Sequence, residues 1–388
     1  MDVKTKLIRS GKYTTCPKGI EYKTLNPPIY KGSTILLSYK DFKTSKPPFH
    51  GNYYGTLGNP AQLALEDAIC ELENGYMTRA CPSGLNAITT TFMALCSQGD
   101  HILVCDNVYA PTMNFCNNVL SKYGVKVDAL PPDTGKNITD YIKPNTRLIF
   151  LESPGSNTFE IQDIEPIIKI AKEKNIVTII DNTWATPLFF RPLDYGIDIS
   201  IMSGTKYIGG HSDILLGTIT TNEAYSNVIS KFYETVEIFV NSEDCYLGLR
   251  GLRTLNVRLK YQEEAALNIA RWLEAQDIIE TVIHPALPSH PQHELFNKYF
   301  TESSGVFGFT FKENYNEEQI EKFMNSLEFF PVGLSWGGVN SLIKSEVYTK
   351  RKYLSEKFKN KTVFRLSIGL EDVEDLKNDL LNGFKALS

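Results

Sequence analysis

Between residues 56 and 245 the chain alternates helical periodicity with short continuous apolar runs. Segments Leu63 to Leu72 and Leu85 to Leu95 read as helices, while His101 to Cys105, Arg147 to Leu151 and Ile176 to Asp181 read as strands buried on both faces of a parallel sheet. Between the last two runs, Ile164, Ile167, Ile168 and Ala171 follow the i, i+3, i+4, i+7 spacing of an amphipathic helix, with Asp163 placed to cap it. This alternation predicts an α/β domain.

From residue 246 to 388 the pattern changes. It predicts a long helix from Tyr261 to Gln276, then a strand with Phe307, Phe309 and Phe311 on one face. A helix carrying Ile320, Phe323, Met324 and Leu327, a strand from Val363 to Ile368 and a terminal helix complete a smaller α+β domain. Residues 1–55, rich in Pro, Tyr, Lys and Thr and including Pro27-Pro28 and Pro47-Pro48, hold no sustained period. They read as an arm that lies on this subunit or on a neighbour.

Composition narrows the function. With 388 residues, 42% of them apolar, the chain can bury a full core in two domains. The net charge of -5 is interspersed, with no basic stripe for nucleic acid, so a small-molecule partner is expected. Seven cysteines, at 16, 70, 81, 96, 105, 116 and 245, form no Cys-x-x-Cys pair, which argues against a disulfide framework and a zinc ribbon and for a reducing compartment. The six histidines show no ligand spacing, so no metal is expected, and His290-Pro291-Gln292-His293 reads as a turn. The polar first twenty residues, with Lys4, Lys6 and Arg9, do not form a secretory signal, and no run approaches the roughly 18 apolar residues of a membrane span. The expectation is a cytoplasmic protein.

Chemistry concentrates in three stretches. Ser203-Gly204-Thr205-Lys206-Tyr207-Ile208-Gly209-Gly210-His211 follows the apolar run Ile199 to Met202, so Lys206 stands at the end of a buried strand. Burial and cationic neighbours lower an amine's pKa, and a neutral amine is what an aldehyde cofactor needs to form an imine. The hydroxyls of Ser203 and Thr205 are suited to a phosphate. Alone, the stretch also fits a surface lysine in a glycine-rich turn. Asp181 follows the strand Ile176 to Ile180, in the crevice where open α/β sheets bind ligands, and can pair with a protonated pyridine nitrogen or simply cap the next turn. Ser83-Gly84-Leu85-Asn86 opens the helix to Leu95 and offers backbone amides to an anion, or is only a cap. Tyr109, after the strand His101 to Cys105, can stack on an aromatic cofactor or pack.

In this order, these stretches resemble the Cys/Met-metabolism family of pyridoxal-phosphate enzymes of fold type I. Tyr54-Gly55, Gly58-Asn59-Pro60, Glu152-Ser153-Pro154, Leu249 to Leu255, His284-Pro285 and Arg365 to Glu371 add to the resemblance, which covers nearly the whole chain. It implies pyridoxal 5'-phosphate as cofactor and Lys206 as the Schiff-base lysine and best candidate base. Asp181 would lie on the pyridinium nitrogen, and Tyr109 on the ring as a second acid/base. Gly84, Leu85, Ser203 and Thr205 would hold the phosphate, and Tyr54 would reach a phosphate across a subunit boundary. Arg365 would clamp the substrate α-carboxylate, with Ser335 and Trp336 beside it. The implied assembly is a tetramer of active-site-sharing dimers.

Within the family, Ser335-Trp336-Gly337-Gly338, Glu152 to Ser156 and Tyr109-Ala110-Pro111-Thr112 look like the cystathionine β-lyase branch, which implies a carbon-sulfur lyase of methionine biosynthesis. Pro111 stands where methionine γ-lyases usually carry Cys, and Ser156 where γ-acting enzymes commonly carry Asn. The family's usual arginine two residues after the active-site tyrosine is here Thr56, which implies weaker cofactor retention. Cystathionine γ-lyase, O-acylhomoserine sulfhydrylase and amino-acid racemase activities remain open on the same scaffold. So does a non-catalytic, cofactor-binding regulatory protein.

Overall fold

The computed structural model describes residues 24–45, 50 and 53–387. Lys4, Lys6, Arg9, Cys16 and Pro47-Pro48 lie outside those residues. In chain order the elements that matter for the site are α1 (Pro60–Leu72), β1 (Met77–Cys81), α2 (Gly84–Leu95), β2 (His101–Cys105), α3 (Ala110–Asn118), β3 (Lys126–Leu130), β4 (Thr146–Glu152) and α4 (Ile164–Glu173). They continue with β5 (Val177–Asp181), β6 (Ile199–Met202), β7 (Gly217–Thr221), α5 (Glu223–Thr235), α6 (Ser242–Leu252) and α7 (Leu255–Glu274). Last come β8 (Ile279–Ile283), β9 (Val306–Phe311), α8 (Glu317–Asn325), β10 (Leu342–Val347), β11 (Thr362–Ser367) and α9 (Val373–Lys385).

The first seven strands form one sheet in the order β1-β7-β6-β5-β4-β2-β3. The neighbours from β6 to β3 are parallel, and only β7 runs against its partners β1 and β6. Residues of β2, β5 and β6 are buried without alternation, because helices cover both faces, and this explains the continuous apolar runs. The parallel strands all end on one side, so the residues at and after their C-termini meet in one crevice.

The second sheet, in the order β10-β11-β9-β8, is antiparallel throughout. Its core is aromatic: Phe309 stacks on Phe364 at 5.2 Å between ring centres, and Phe311 meets Phe323 edge-on at 5.5 Å. Phe307, Phe309 and Phe311 all enter this cluster, as the alternation predicts.

Three local expectations are corrected. The long helix begins at Leu255 rather than Tyr261 and ends at Glu274. Its first turns look polar because they contain Arg258, yet that side chain is buried and donates to the carbonyls of Tyr207 and Gly251 at 2.8 and 2.9 Å. Asp163 occupies the N-cap position of α4 but makes no cap bond. Its carboxylate instead accepts from Lys298 Nζ at 3.2 Å and from the Tyr299 hydroxyl. Leu327 is buried beyond the end of α8 rather than within it. The described part of the arm runs along α6, with Ser242 Oγ donating to Tyr30 O at 2.7 Å and Lys31 paired with Glu243 at 2.7 Å. Among the described residues no helix is long and apolar enough to cross a membrane.

Candidate active site

Lys206 sits in a tight turn after β6. Gly204 is required there: a Cβ at that position would stand 2.6 Å from Leu216 Cδ2. The turn is held by Thr205 N to Leu216 O at 3.1 Å and Lys206 N to Ser203 O at 3.1 Å. The amine donates to Ser335 Oγ at 2.7 Å and lies 5.5 Å from the centre of the Trp336 ring. Burial, followed by the Arg365 guanidinium, pulls the Lys206 pKa down to about 8, while Asp181 acts weakly in the other direction. A lysine tuned in this way is still mostly protonated at neutral pH, but it gives up its proton far more readily than an exposed lysine and so reaches the neutral amine more easily.

Asp181 ends β5 and pairs in register with Glu152 at the end of β4. Its Oδ1 accepts from Thr183 N at 2.9 Å and from Thr183 Oγ1 at 2.5 Å, which leaves Oδ2 for a partner in the cavity. Burial raises the pKa of Asp181, and the Thr183 hydrogen bonds and the Lys206 charge oppose that rise. Glu152 is pushed well above the usual carboxylate range, first by burial and then by Asp181. Both carboxyl groups are thus pushed toward the protonated form, Glu152 by burial and by the Asp181 charge beside it, while Asp181 has the Thr183 hydrogen bonds and the Lys206 charge favouring its anion. Glu152 Oε2 also accepts from Tyr109 N at 2.6 Å and so fixes the tyrosine that starts α3. Its sequence signal was a second strand ending in a carboxylate at the same edge as Asp181.

Ser83 caps α2 by accepting from Asn86 N at 3.1 Å. A Cβ on Gly84 would fall 2.6 Å from Ser203 Cβ, so glycine lets the start of α2 close on the lysine turn. The first-turn amides of Gly84 and Leu85 have no intrahelical acceptor and are available to an anion. Of the two hydroxyls expected on a phosphate, Thr205 Oγ1 is already engaged: it donates to Leu216 O at 3.2 Å and accepts from Leu216 N at 2.9 Å. Ser203 Oγ makes no hydrogen bond among the described residues.

Arg365 projects from β11 and is nearly buried. Its Nη2 donates to the carbonyls of Gly333, Leu334 and Ser335 at 3.1, 3.2 and 2.9 Å, and its Nη1 to Asn157 Oδ1 at 3.4 Å. Among the described residues Nε is buried without a partner, so one edge of the guanidinium is positioned and unspent. Lys206, Asp181, Tyr109, Gly84, Leu85, Ser203, Thr205, Trp336 and Arg365 all line one cavity of about 490 Å³. Tyr54 and Thr56 do not line it. Tyr54 is exposed, and Thr56 Oγ1 is buried without a hydrogen-bond partner among the described residues. Asn157, Lys344 and Glu346, which the sequence did not single out, line the same cavity.

The family described as Cys/Met metabolism PLP-dependent enzyme matches residues 4–385. The chain belongs to this family. Pyridoxal phosphate is thus its cofactor, and the residues present fit it. The open amides at Gly84 and Leu85 suit the phosphate, Asp181 Oδ2 suits the ring nitrogen, and the Lys206 amine suits the aldehyde. The chain is 39% identical over 390 residues to the L-alanine/L-glutamate racemase of Wolbachia pipientis wMel, covering 96% of this chain and 94% of that protein. It is 37% identical to the cystathionine β-lyase of Haemophilus influenzae, covering 100% and 99%. The crystal structure of metB from Corynebacterium glutamicum superposes with a TM-score of 0.86 at 30% identity, covering 100% and 99%. That superposition bears out the fold type I architecture read from the sequence.

Proposed function

We propose that this family member is a C-S β-lyase that converts L-cystathionine and water to homocysteine, pyruvate and ammonia, a step of methionine biosynthesis. The reading is supported above all by the likeness, over the full length of both chains, to the Haemophilus influenzae cystathionine β-lyase. The cavity chemistry agrees with it. In this reading Lys206, Asp181, Gly84, Leu85, Ser203 and Tyr109 hold the cofactor, which supplies an electron sink for the charge left when the α-proton departs. Thr205 closes the turn beneath it. Arg365 binds the substrate α-carboxylate through its unspent edge, a task for which a planar guanidinium is suited. Ser335 Oγ, bonded to Lys206 Nζ at 2.7 Å, aims the amine that removes the α-proton, and Trp336 excludes water beside it. Tyr109, whose hydroxyl is kept protonated first by burial and then by Asp181 and Glu152, is a proton donor on the same cavity.

The same reading divides the chain into an arm (1–55), a cofactor-binding domain (56–245) and a C-terminal domain (246–388), in the cytoplasm. It assembles the chain as a tetramer of site-sharing dimers. Support for shared sites comes from Tyr54 and Thr56, which stand outside the cavity of their own chain. The racemase relative supports a second reading, because Lys206 and Tyr109 are two proton-transferring groups lining one cavity.

Product analysis on the loaded enzyme decides between them. Homocysteine with pyruvate from cystathionine establishes the β-lyase. Cysteine with 2-oxobutyrate moves the reaction to the γ-position, and inversion of alanine or glutamate without thiol release establishes the racemase.

A further inference from the structure

Lys344 and Glu346 stand two apart on β10, so their side chains share one face, and Lys344 pairs in register with Arg365 on β11. All three line the cavity. Lys344 Nζ lies 2.5 Å from Glu346 Oε2, with the two side chains 24% and 32% exposed. Asn157 connects this pair to the carboxylate clamp. Its Nδ2 lies 3.4 Å from Glu346 Oε2, while its Oδ1 accepts from Arg365 Nη1 at 3.4 Å. A partly exposed ion pair contributes little to stability, and a lysine directly across from an arginine is a like-charge neighbour that destabilises a strand pair. Fold stability therefore does not account for this arrangement on the wall of a ligand cavity.

We propose that Lys344 and Glu346 form a recognition site for a second amino-acid group, the distal zwitterion of a thioether-linked diamino dicarboxylic acid. This inference rests on the lyase reading, and it names the part of the substrate that Lys206 and Arg365 leave unread. The near end of such a substrate presents its amine to the cofactor site and its carboxylate to Arg365. The far end carries one ammonium and one carboxylate, and entering the cavity strips both of water. A lysine and a carboxylate on one strand face offer the matching charges, Lys344 to the carboxylate and Glu346 to the ammonium. The two neutralise each other when the far end is absent. Asn157 ties the recognition of both ends to one loop residue.

The test compares two substrates with the same reacting bond. On the loaded enzyme, solvent-deuterium incorporation at Cα and product release are followed for L-cystathionine and for S-ethyl-L-cysteine, which lacks the distal zwitterion. Lys344→Leu/Glu346→Leu is expected to lower kcat/KM for cystathionine about 10- to 100-fold while leaving S-ethylcysteine within about twofold. Glu346→Gln, which removes only the charge, serves as the variant closest to the native fold and is expected to show the same selectivity loss in smaller measure. Equal loss on both substrates means that the pair merely positions Arg365 and overturns the proposal, as does no loss on either. Deuterium incorporation without thiol release in the unsubstituted enzyme marks failure of the lyase reading, and the ratio of exchange rates still judges the pair.

Discussion

On one side of the cavity Asp181 and Glu152 end adjacent parallel strands and Lys206 follows a third, whereas on the other side Arg365, Lys344 and Glu346 stand on the face of two antiparallel strands. The first wall is set by where strands stop. Its groups are buried or half-buried, their charges are tuned by desolvation, and glycines at 84 and 204 let the start of α2 close on Ser203 and the lysine turn close on the Leu216 side chain. The second wall is set by cross-strand register and by a loop whose carbonyls hold a guanidinium. The first is suited to hold one cofactor in one pose, and the second to discriminate among substrates.

The largest effect that can break this division is loss of the amine on the first wall. Lys206→Ala is expected to lower kcat by at least about 10³-fold, since in the proposed function it removes both the covalent anchor and the base. The unloaded protein is not expected to melt at a lower temperature, because the native state strips water from an ammonium that the unfolded chain solvates freely. Steady-state kinetics and a thermal melt check both parts. A variant that melts much lower would show that the first wall also holds the fold together.

The two walls also differ in how far the chain itself announced them. Lys206 and Asp181 were legible because each follows an apolar run, and a parallel sheet gathers strand ends at one edge without further information, while Gly84 was legible because it opens the helix to Leu95. Arg365 was reached through the motif around it. Lys344 and Glu346 were not reached, since a lysine and a glutamate two apart on a strand look like an ordinary solvent face until the register with β11 is known. Burial misled in a similar way at Arg258, where an inward-facing charge hid the start of α7. Thr205 shows the converse. Its residue type was right for a phosphate, but its hydroxyl is used by Leu216. Parallel strands followed by α+β elements were read from periodicity, because periodicity reports which faces are covered, whereas the antiparallel order of the second sheet came only with its register.

A smaller effect sharpens the account of the first wall. The Lys206 pKa in the folded chain, about 8, lies below its ordinary value of 10.5. Below pH 8 the lysine is protonated in both states, and the folded state carries the full penalty of a desolvated ammonium. Between pH 8 and 10.5 the unfolded chain holds more protons, so this group's contribution to stability rises with pH across that window. The same titration governs capture of the cofactor by stripped protein, which requires the neutral amine. The capture rate is expected to rise about tenfold per pH unit below 8 and to level off above it, as read by stopped-flow absorbance. A plateau already reached near pH 6 would mean that the amine is held neutral by something other than desolvation and Arg365.

The smallest expected effect lies at the turn that the proposed dimer would share between subunits. Thr56 lies two residues after Tyr54 in a short 3-10 turn, and its hydroxyl is buried without a partner among the described residues, close in sequence to a tyrosine that is itself exposed. In the proposed site-sharing dimer this turn would face the neighbour's phosphate, where a hydroxyl gives one uncharged hydrogen bond and a guanidinium gives a charge-assisted, bidentate one. Thr56→Arg is therefore expected to slow cofactor dissociation about three- to tenfold and to leave kcat within about twofold, because the turn contributes to neither wall of its own cavity. Dialysis against a carbonyl scavenger with residual visible absorbance gives the rate. Unchanged or faster loss of cofactor would show that Tyr54 and Thr56 do not meet the phosphate of a second chain, and that the first wall holds its cofactor without help from a neighbour.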